Sequence, residues 1–526
     1  MGIYLNPDNA AFQEAVDSEI YVDKSMLIAF TNKNIRTLQK NICVSRPRRF
    51  GKSMAANMLV AYYSRGCDSR ELFQNLKIAQ HPSFEKHLNK YHVIHLNIPS
   101  FLEDAESAND LIHYIKTDLL DELLKAFPNV QMPKRITLTK ALATIFDAVK
   151  IPFVFIIDEW DCIFREYKND DAAQEKYLTF LRNILKEQPY VGLIYMTGIL
   201  PIKKYGKHSA LNMFDEYSMT NQRNLAEFTG FTEAEVKELC DRYQMDFEMT
   251  KRWYDGYNLK GMSIYNPRSV VMSMTGHDFD SYWTQTETYE SIRTFIQMNY
   301  DGLRDTITQM IAGERKVIDT STFTNDMVNF QVQDDVLTLL IHLGYLAFDF
   351  DTKEIFIPNY EIREQFISTV RVLGWNDVIK SIQLSDELLE ATLQGNTDRV
   401  SEIIEQVHDE NTSILQYNNE NSLSCILSLA YYSARKNYTI HRELAGGKGF
   451  ADLVFIPRTG CTTPAMIVEL KWNISAEAAI DQIKKKQYVK CLKDYSGEIL
   501  LVGISYDKDA EKRHTCVIEK LNKSIS

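Results

Sequence analysis

Two groups of residues in this 526-residue chain have the types and spacing for phosphate chemistry. The first lies in Cys43-Val44-Ser45-Arg46-Pro47-Arg48-Arg49-Phe50-Gly51-Lys52-Ser53, where a short apolar run ends in a basic loop and Gly51-Lys52-Ser53 opens a helical stretch from Met54 to Tyr63. Strand, loop, helix is the order a phosphate-binding loop requires. Backbone N–H groups at a helix start carry partial positive charge, Gly51 lets the backbone approach phosphate, Lys52 reaches the β/γ-phosphates and Ser53 ligates Mg²⁺. Arg48, Arg49 and Phe50 belong to the same loop and are read with it as nucleotide contacts. The full Walker A pattern also asks for a glycine five residues before Gly51. Arg46 stands there, so the loop turns with Pro47 instead, and a basic turn ahead of a buried helix is the competing reading.

A second stretch completes that site. Ile151 to Asp161 is a continuous β-branched and aromatic run, which predicts a strand buried on both faces of a parallel sheet. Its carboxyl end delivers Asp158 and Glu159. Ligands bind at strand C-termini in open α/β sheets, so Asp158 is expected to hold Mg²⁺ and Glu159 to orient or deprotonate the attacking water. Thr197, at the end of the apolar run Tyr190 to Gly198, is placed like a sensor of the γ-phosphate; a strand-end hydroxyl capping the next turn is an equal alternative.

The other group is C-terminal. Gly446-Gly447-Lys448-Gly449 feeds a strand that carries Asp452, and the next strand, Ala465 to Trp472, carries Glu469 and Lys471. Residues two apart on a strand share a face, so Glu469 and Lys471 are expected together, with Asp452 joining them from the neighbouring strand. Two carboxylates offer hard oxygen ligands to Mg²⁺, and Lys471 would steady developing negative charge in a phosphodiester displacement. A plain Glu469–Lys471 ion pair is the bland alternative. The helix expected from Ala478 to Leu492 carries Gln482, Tyr488 and the run Lys484-Lys485-Lys486, with Lys490 beyond it.

These residues need scaffolds. The length suggests about three domains, and 45% hydrophobic residues suffice for ordinary cores. Strands alternate with helices up to about residue 223, the pattern of parallel βαβ units. Ile20 to Ser25 reads as a short strand-like piece supporting the nucleotide base or the loop, with Ser25 capping the helix from Met26. Residues 224–375 read as a helical lid. Thr232 and Glu235 have capping-box spacing, and Asp334 to Leu343 followed by a hairpin suggests a winged-helix-like region. Residues 376–526 hold amphipathic connector helices, a helix from Asn421 to Lys436 and the C-terminal strands.

The net charge is −12, which excludes a chain coated for nucleic acid, although the segment from His441 onward holds 14 Lys/Arg against 11 Asp/Glu. Phosphate contacts would therefore come from a local patch and be salt-sensitive. Eight scattered cysteines without a C-x-x-C pair argue against structural zinc or a disulfide framework and fit a reducing, cytoplasmic setting. No stretch approaches the ~20 apolar residues of a membrane span.

Val22-Asp23-Lys24-Ser25, Arg46 to Ser53, Ile157-Asp158-Glu159-Trp160-Asp161, Thr197-Gly198, Asp255-Gly256-Tyr257 and Tyr265-Asn266-Pro267 together resemble the bacterial AAA-ATPase-like family. Members commonly carry a C-terminal PD-(D/E)XK nuclease-superfamily domain, which Gly449 to Tyr488 resembles, and Arg46 at the first Walker position is usual among them. The resemblance implies a P-loop parallel sheet with a helical lid and a separate restriction-endonuclease-like α/β domain. It implies ATP and Mg²⁺ at Lys52, Ser53, Asp158 and Glu159, and a nuclease triad of Asp452, Glu469 and Lys471. It also implies that Glu420, opening the helix before the first nuclease strand, serves as an extra metal ligand. The pattern does not choose an arginine finger among Arg48, Arg49, Arg165 and Arg182. The expected activity is an ATPase controlling a Mg²⁺-dependent nuclease on DNA, as a monomer or homo-oligomer. A nucleotide-switched scaffold that binds nucleic acid or protein, with an inactive nuclease fold, is the rival.

Overall fold

The computed structural model describes the chain except residues 1, 203–210, 222–224, 260, 284–292, 294–295, 298–301, 325–326, 328–329, 412–419, 459–460, 494 and 522–526; at 376–377, 410–411, 420–422 and 425 it describes backbone alone. The chain separates into two units, Met1–Glu287 with Val317–Ile362, and Thr288–Lys316 with Arg363–Ser526.

In the first unit the apolar runs become Asn41–Ser45 (β1), His92–Asn97 (β2), Phe153–Asp158 (β3), Val191–Gly198 (β4) and Asp215–Tyr217 (β5), ordered β2-β3-β4-β1-β5 in one sheet. Every neighbouring pair is parallel. Each residue of β3 and β4 is buried, which explains why neither run alternates with polar residues. The helix Lys52–Tyr63 packs on this sheet through Ala56, Leu59, Tyr62 and Tyr63, against Ile42, Val44, Val154, Ile156 and Tyr195. Three further helices, Ala108–Ala126, Leu138–Val149 and Asp171–Leu185, start at side-chain caps from Ser107, Thr137 and Asp170, and pack on one another.

The capping box predicted at Thr232 and Glu235 forms in both directions and opens Glu233–Tyr243. This helix, with Phe247–Tyr254, Pro267–Gly276 and a small sheet of Phe231–Thr232, Tyr257–Leu259 and Met262–Tyr265, surrounds a second apolar core of Val236, Leu239, Tyr254, Tyr265, Val270 and Met274. Gln333–Leu343 ends at Gly344, and Ala347–Phe348 pairs antiparallel with Glu354–Phe356, the helix-then-hairpin order expected.

Two local expectations fail. Ile20 to Ser25 forms no strand. Ser25 does not cap Met26–Asn34; its hydroxyl instead accepts from Ile78 N at 3.1 Å, so a tertiary partner outcompetes the local one.

In the second unit the strands Tyr438–Gly446, Gly449–Pro457, Ala465–Trp472, Ile499–Tyr506 and His514–Leu521 lie side by side in chain order. Only the Ala465–Trp472 and Ile499–Tyr506 pair is parallel, because the helix Ala476–Lys486 crosses between them. The expected helix from Ala478 to Leu492 is broken at Gln487, whose φ of 59° stops it; Tyr488–Leu492 is a 3-10 turn. Likewise the helix expected from Asn421 to Lys436 is Glu420–Ala430 followed by the 3-10 turn Tyr432–Lys436. The amphipathic helices Asn376–Gln394 and Thr397–Asn411 pack on each other and on this region.

Candidate functional site

β1 runs out at Ser45, and register pairs Ser45 with Gly198 of β4, so the basic loop leaves the sheet where β3 and β4 also end. The loop needs left-handed backbone at Arg49 (φ 68°) and Gly51 (φ 78°) before the helix begins at Lys52. A Cβ on Gly51 would meet nothing within 4 Å, so glycine is favoured there by conformation and not by crowding. Arg48, Arg49, Phe50, Gly51, Lys52, Ser53 and Glu159 line one cavity of about 750 Å³. Lys24 and Arg268 add cations to its wall, while Tyr21, Val22, Met58 and Phe231 give it an apolar side. Cationic and apolar walls in one cavity suit a ligand with both phosphates and a flat apolar part.

Lys52 is buried, and its ammonium donates to the carbonyls of Arg46 (2.9 Å) and Pro47 (2.7 Å). Burial lowers its pKa to about 8, against the pull of Asp161, Asp158 and Glu159 nearby. Arg46 does not line the cavity. It is 1% exposed and points inward, donating to Thr229 Oγ1, Ser45 O and Tyr217 O. The arginine at the Walker glycine position is thus a bolt between β1, the end of β5 and the segment around Thr229. Phe50 is a second anchor: its carbonyl accepts from Gly230 N at 3.0 Å and its ring meets Tyr257 edge-on at 5.3 Å.

Asp158 and Thr197 are buried at the ends of β3 and β4 and are not among the residues that line the cavity. The Thr197 hydroxyl donates to Asp158 Oδ1, which also accepts from Glu159 N at 3.1 Å. Glu159 adopts φ 50° and its carboxylate takes the Arg165 guanidinium at 2.6 Å. Burial pushes the Glu159 carboxyl up, but Arg165, Lys52 and Arg48 outweigh it and hold the group below its usual range. Asp161 was not singled out from sequence. Fully buried, it accepts from Ile199 N (3.0 Å) and Leu200 N (2.8 Å), so it ties the exit of β4 to the end of β3. Its four-residue spacing from Arg165 on a short helix was the available signal.

In the second unit Asp452, Glu469 and Lys471 come together as their strand positions predict. Asp452 Oδ2 accepts from Leu470 N at 2.7 Å, and Lys471 Nζ meets Glu469 Oε1 at 3.2 Å and Leu470 O at 2.9 Å. Glu469 is 1% exposed, and Oε2 is buried without a hydrogen-bond partner. Burial, and then the charge of Asp452, raises its pKa to about 7 despite Lys471. A buried carboxylate with an orphaned oxygen beside a second carboxylate is a donor set that fits a hard divalent cation. Among the described residues no group of three or more His, Cys, Asp or Glu is arranged around a metal position, so this pair needs water or a further ligand to complete a shell. Glu420 opens its helix, but its side chain lies outside the described residues.

Gln482 is the residue the sequence reading undervalued. Its amide donates to Glu469 Oε1 and to Tyr488 OH (3.2 Å), placing both residues beside the carboxylates. The turn before Asp452 is pressed onto the same helix end: Lys448 N donates to Lys486 O at 2.8 Å. A Cβ on Gly447 would collide with that carbonyl, so the close approach requires glycine.

A family model described as Predicted AAA-ATPase matches residues 10–207, and one described as PD-(D/E)XK nuclease superfamily matches residues 418–516. A curated relative, "Uncharacterized protein in vnfD 5'region" of Azotobacter chroococcum mcd 1, is 23% identical over 252 residues; the match covers 47% of this chain, and the chain spans about half, 47%, of that relative. Among solved structures, Cdc6p from Pyrobaculum aerophilum matches 70% of this chain and 99% of its own at 10% identity and TM-score 0.24. The Aeropyrum pernix ORC2 protein matches with the same coverages and identity at TM-score 0.32. The STAND protein PH0952 of Pyrococcus horikoshii covers 80% of this chain and 54% of its own at 10% identity and TM-score 0.24. Overlaps this loose say nothing about function. The two family matches fall on the parallel P-loop sheet and on the C-terminal mixed sheet, so the chain combines an AAA-ATPase-like domain with a PD-(D/E)XK nuclease-superfamily domain.

Proposed function

We propose that this chain binds and hydrolyses ATP and uses that cycle to control a metal-dependent nuclease acting on DNA. The observation that carries the reading is Glu469: buried, with Oε2 unpartnered beside Asp452 and Lys471, it is an arrangement that is unfavourable without a cation. In this reading Asp452 and Glu469, with Glu420 as a further ligand, hold Mg²⁺, and Lys471 steadies charge on the phosphate. Gln482 keeps Glu469 aimed. Bound Mg²⁺ would supply an acidified water and neutralise phosphoryl oxygens. In the first unit Arg48, Arg49, Phe50, Gly51 and Lys52 hold the triphosphate, Ser53 and Asp158 its Mg²⁺, Thr197 senses the γ-phosphate and Glu159 orients water.

The working units in this proposal are an ATPase core over 1–223, a lid over 224–375 and the connector with nuclease over 376–526. The protein acts in the cytoplasm, alone or as a homo-oligomer. No helix among the described residues is long and apolar enough to cross a membrane. The test is cleavage of single- and double-stranded DNA with Mg²⁺ or Mn²⁺, with and without ATP, by wild type, Lys52→Ala and Glu469→Ala. Loss of cutting in Glu469→Ala, and loss of the ATP effect in Lys52→Ala, is the expected result; equal cutting by all three removes the proposal.

The Glu159–Arg165 pair favours one rival, a nucleotide switch with slow turnover whose nuclease fold binds without cutting. Tight ATP binding and DNA retention with no cleavage under any divalent metal would select it.

A further inference from the structure

Glu361 is 1% exposed and lies far in sequence from the phosphate-binding loop, yet its contacts lead straight to it. Oε1 accepts from both Tyr282 N (2.7 Å) and Trp283 N (2.8 Å). The carbonyls of the same two residues accept from one guanidinium nitrogen of Arg49, at 2.7 and 3.0 Å. A two-residue stretch is therefore gripped from opposite sides, its N–H groups by a carboxylate and its C=O groups by the loop arginine. On its other flank Glu361 accepts the Ser269 hydroxyl at both oxygens, 3.0 and 2.8 Å. Ser269 follows Arg268 in the first turn of Pro267–Gly276, and Arg268 lines the same cavity as Arg49. The two arginines repel each other, and the Glu361 charge works against that repulsion at Arg49.

We propose that Glu361 is a positioning residue for the nucleotide site, holding Arg49 through the Tyr282–Trp283 peptide and Arg268 through Ser269. Among the described residues no hydrogen bond or ion pair joins Glu361 to either arginine, so its action runs through the intervening residues and depends on hydrogen-bond acceptance more than on charge. Ordering a phosphate clamp in advance spares the ligand the entropic cost of arranging it. Substituting alanine leaves two buried N–H groups without an acceptor and releases the stretch that Arg49 grips.

The inference rests on the reading of the cavity as an ATP site, and the experiment separates the two. Equilibrium binding of a fluorescent ATP analogue to the full chain, with Mg²⁺, is measured for wild type, Glu361→Ala, Glu361→Gln, Arg49→Ala and the Arg49→Ala/Glu361→Ala double variant. Loss of two buried acceptor contacts should weaken E361A by about tenfold, whereas E361Q, which keeps the acceptor, should stay within about twofold of wild type. The double variant should bind better than the product of the two single losses requires, because the part of the Glu361 effect that runs through Arg49 has nothing left to act on and only the part through Arg268 remains. Wild-type affinity in E361A, or independent losses that multiply in the double variant, would overturn the proposal while leaving the ATP site standing. A wild-type chain that ignores the analogue overturns both. If E361A does not fold, Ser269→Ala carries the test through Arg268: weakened binding in the wild-type background that disappears beside Arg268→Ala supports the proposal, and an equal loss in both backgrounds refutes it.

Discussion

Replacing Arg46 by glycine would restore the Walker A pattern, and the structure says that it will weaken the protein without changing the lining of the cavity at Arg48 to Ser53. The guanidinium is 1% exposed and donates to three acceptors, Thr229 Oγ1 at 3.1 Å and the carbonyls of Ser45 and Tyr217 at 3.0 Å each. Hydrogen bonds from a charged donor contribute roughly 2 kcal/mol apiece, so the three together stabilise by about 6 kcal/mol. Against this, burial lowers the arginine pKa to about 10. That shift means a desolvation cost of about 3 kcal/mol, which the glycine relieves. Glycine then adds about 1 kcal/mol of lost backbone order. The net expectation is a loss of about 4 kcal/mol. Urea denaturation of the full chain, followed by tryptophan fluorescence, reads it as a lower midpoint with an unchanged slope for the first transition. An Arg46→Gly variant with the wild-type midpoint and tighter ATP binding would refute the reasoning, because Arg46 would then be a damaged phosphate contact and not a bolt.

Glu361 makes stability depend on pH. Burial raises its pKa from 4.5 to about 7, against the hydrogen bonds of Ser269, Trp283 and Tyr282 and the charge of Arg49. Between those values the native state keeps a proton the unfolded chain has released, so stability falls as pH rises through this window. Glu361→Gln should therefore match wild type below about pH 4.5 and exceed it by about 3 kcal/mol above about pH 7, checked by melting curves across pH. Glu469 should behave alike without metal, and with Mg²⁺ the order should reverse: wild type gains melting temperature and Glu469→Gln does not. Lys52→Ala should cost about a hundredfold in ATP-analogue affinity, measured by titration, with circular dichroism unchanged.

Much of this was legible in the chain. Unbroken apolar runs at 153–158 and 191–198 have only one stable home, the interior of a parallel sheet, and strand order then carries Asp158 and Thr197 to its carboxyl edge. Glu469 and Lys471 share a face because the strand repeat is two, and the neighbouring strand brings Asp452. Local chemistry was equally readable at Thr232 and Glu235, whose capping box closes within four residues.

Contacts between distant segments set the rest. Nothing in the order of residues pairs Arg46 with Thr229, Arg49 with Tyr282 or Glu361 with Ser269, since these bonds span 183, 233 and 92 positions. Ser25 shows the same principle in small: a good local cap was available, and a buried N–H at Ile78 claimed its hydroxyl. Sequence thus determined which residues are candidates for phosphate chemistry, because motif and period are local properties. The tertiary structure decided which of them line the cavity and which hold its walls. A buried polar group takes whichever partner folding brings within about 3 Å, and sequence distance does not enter that choice.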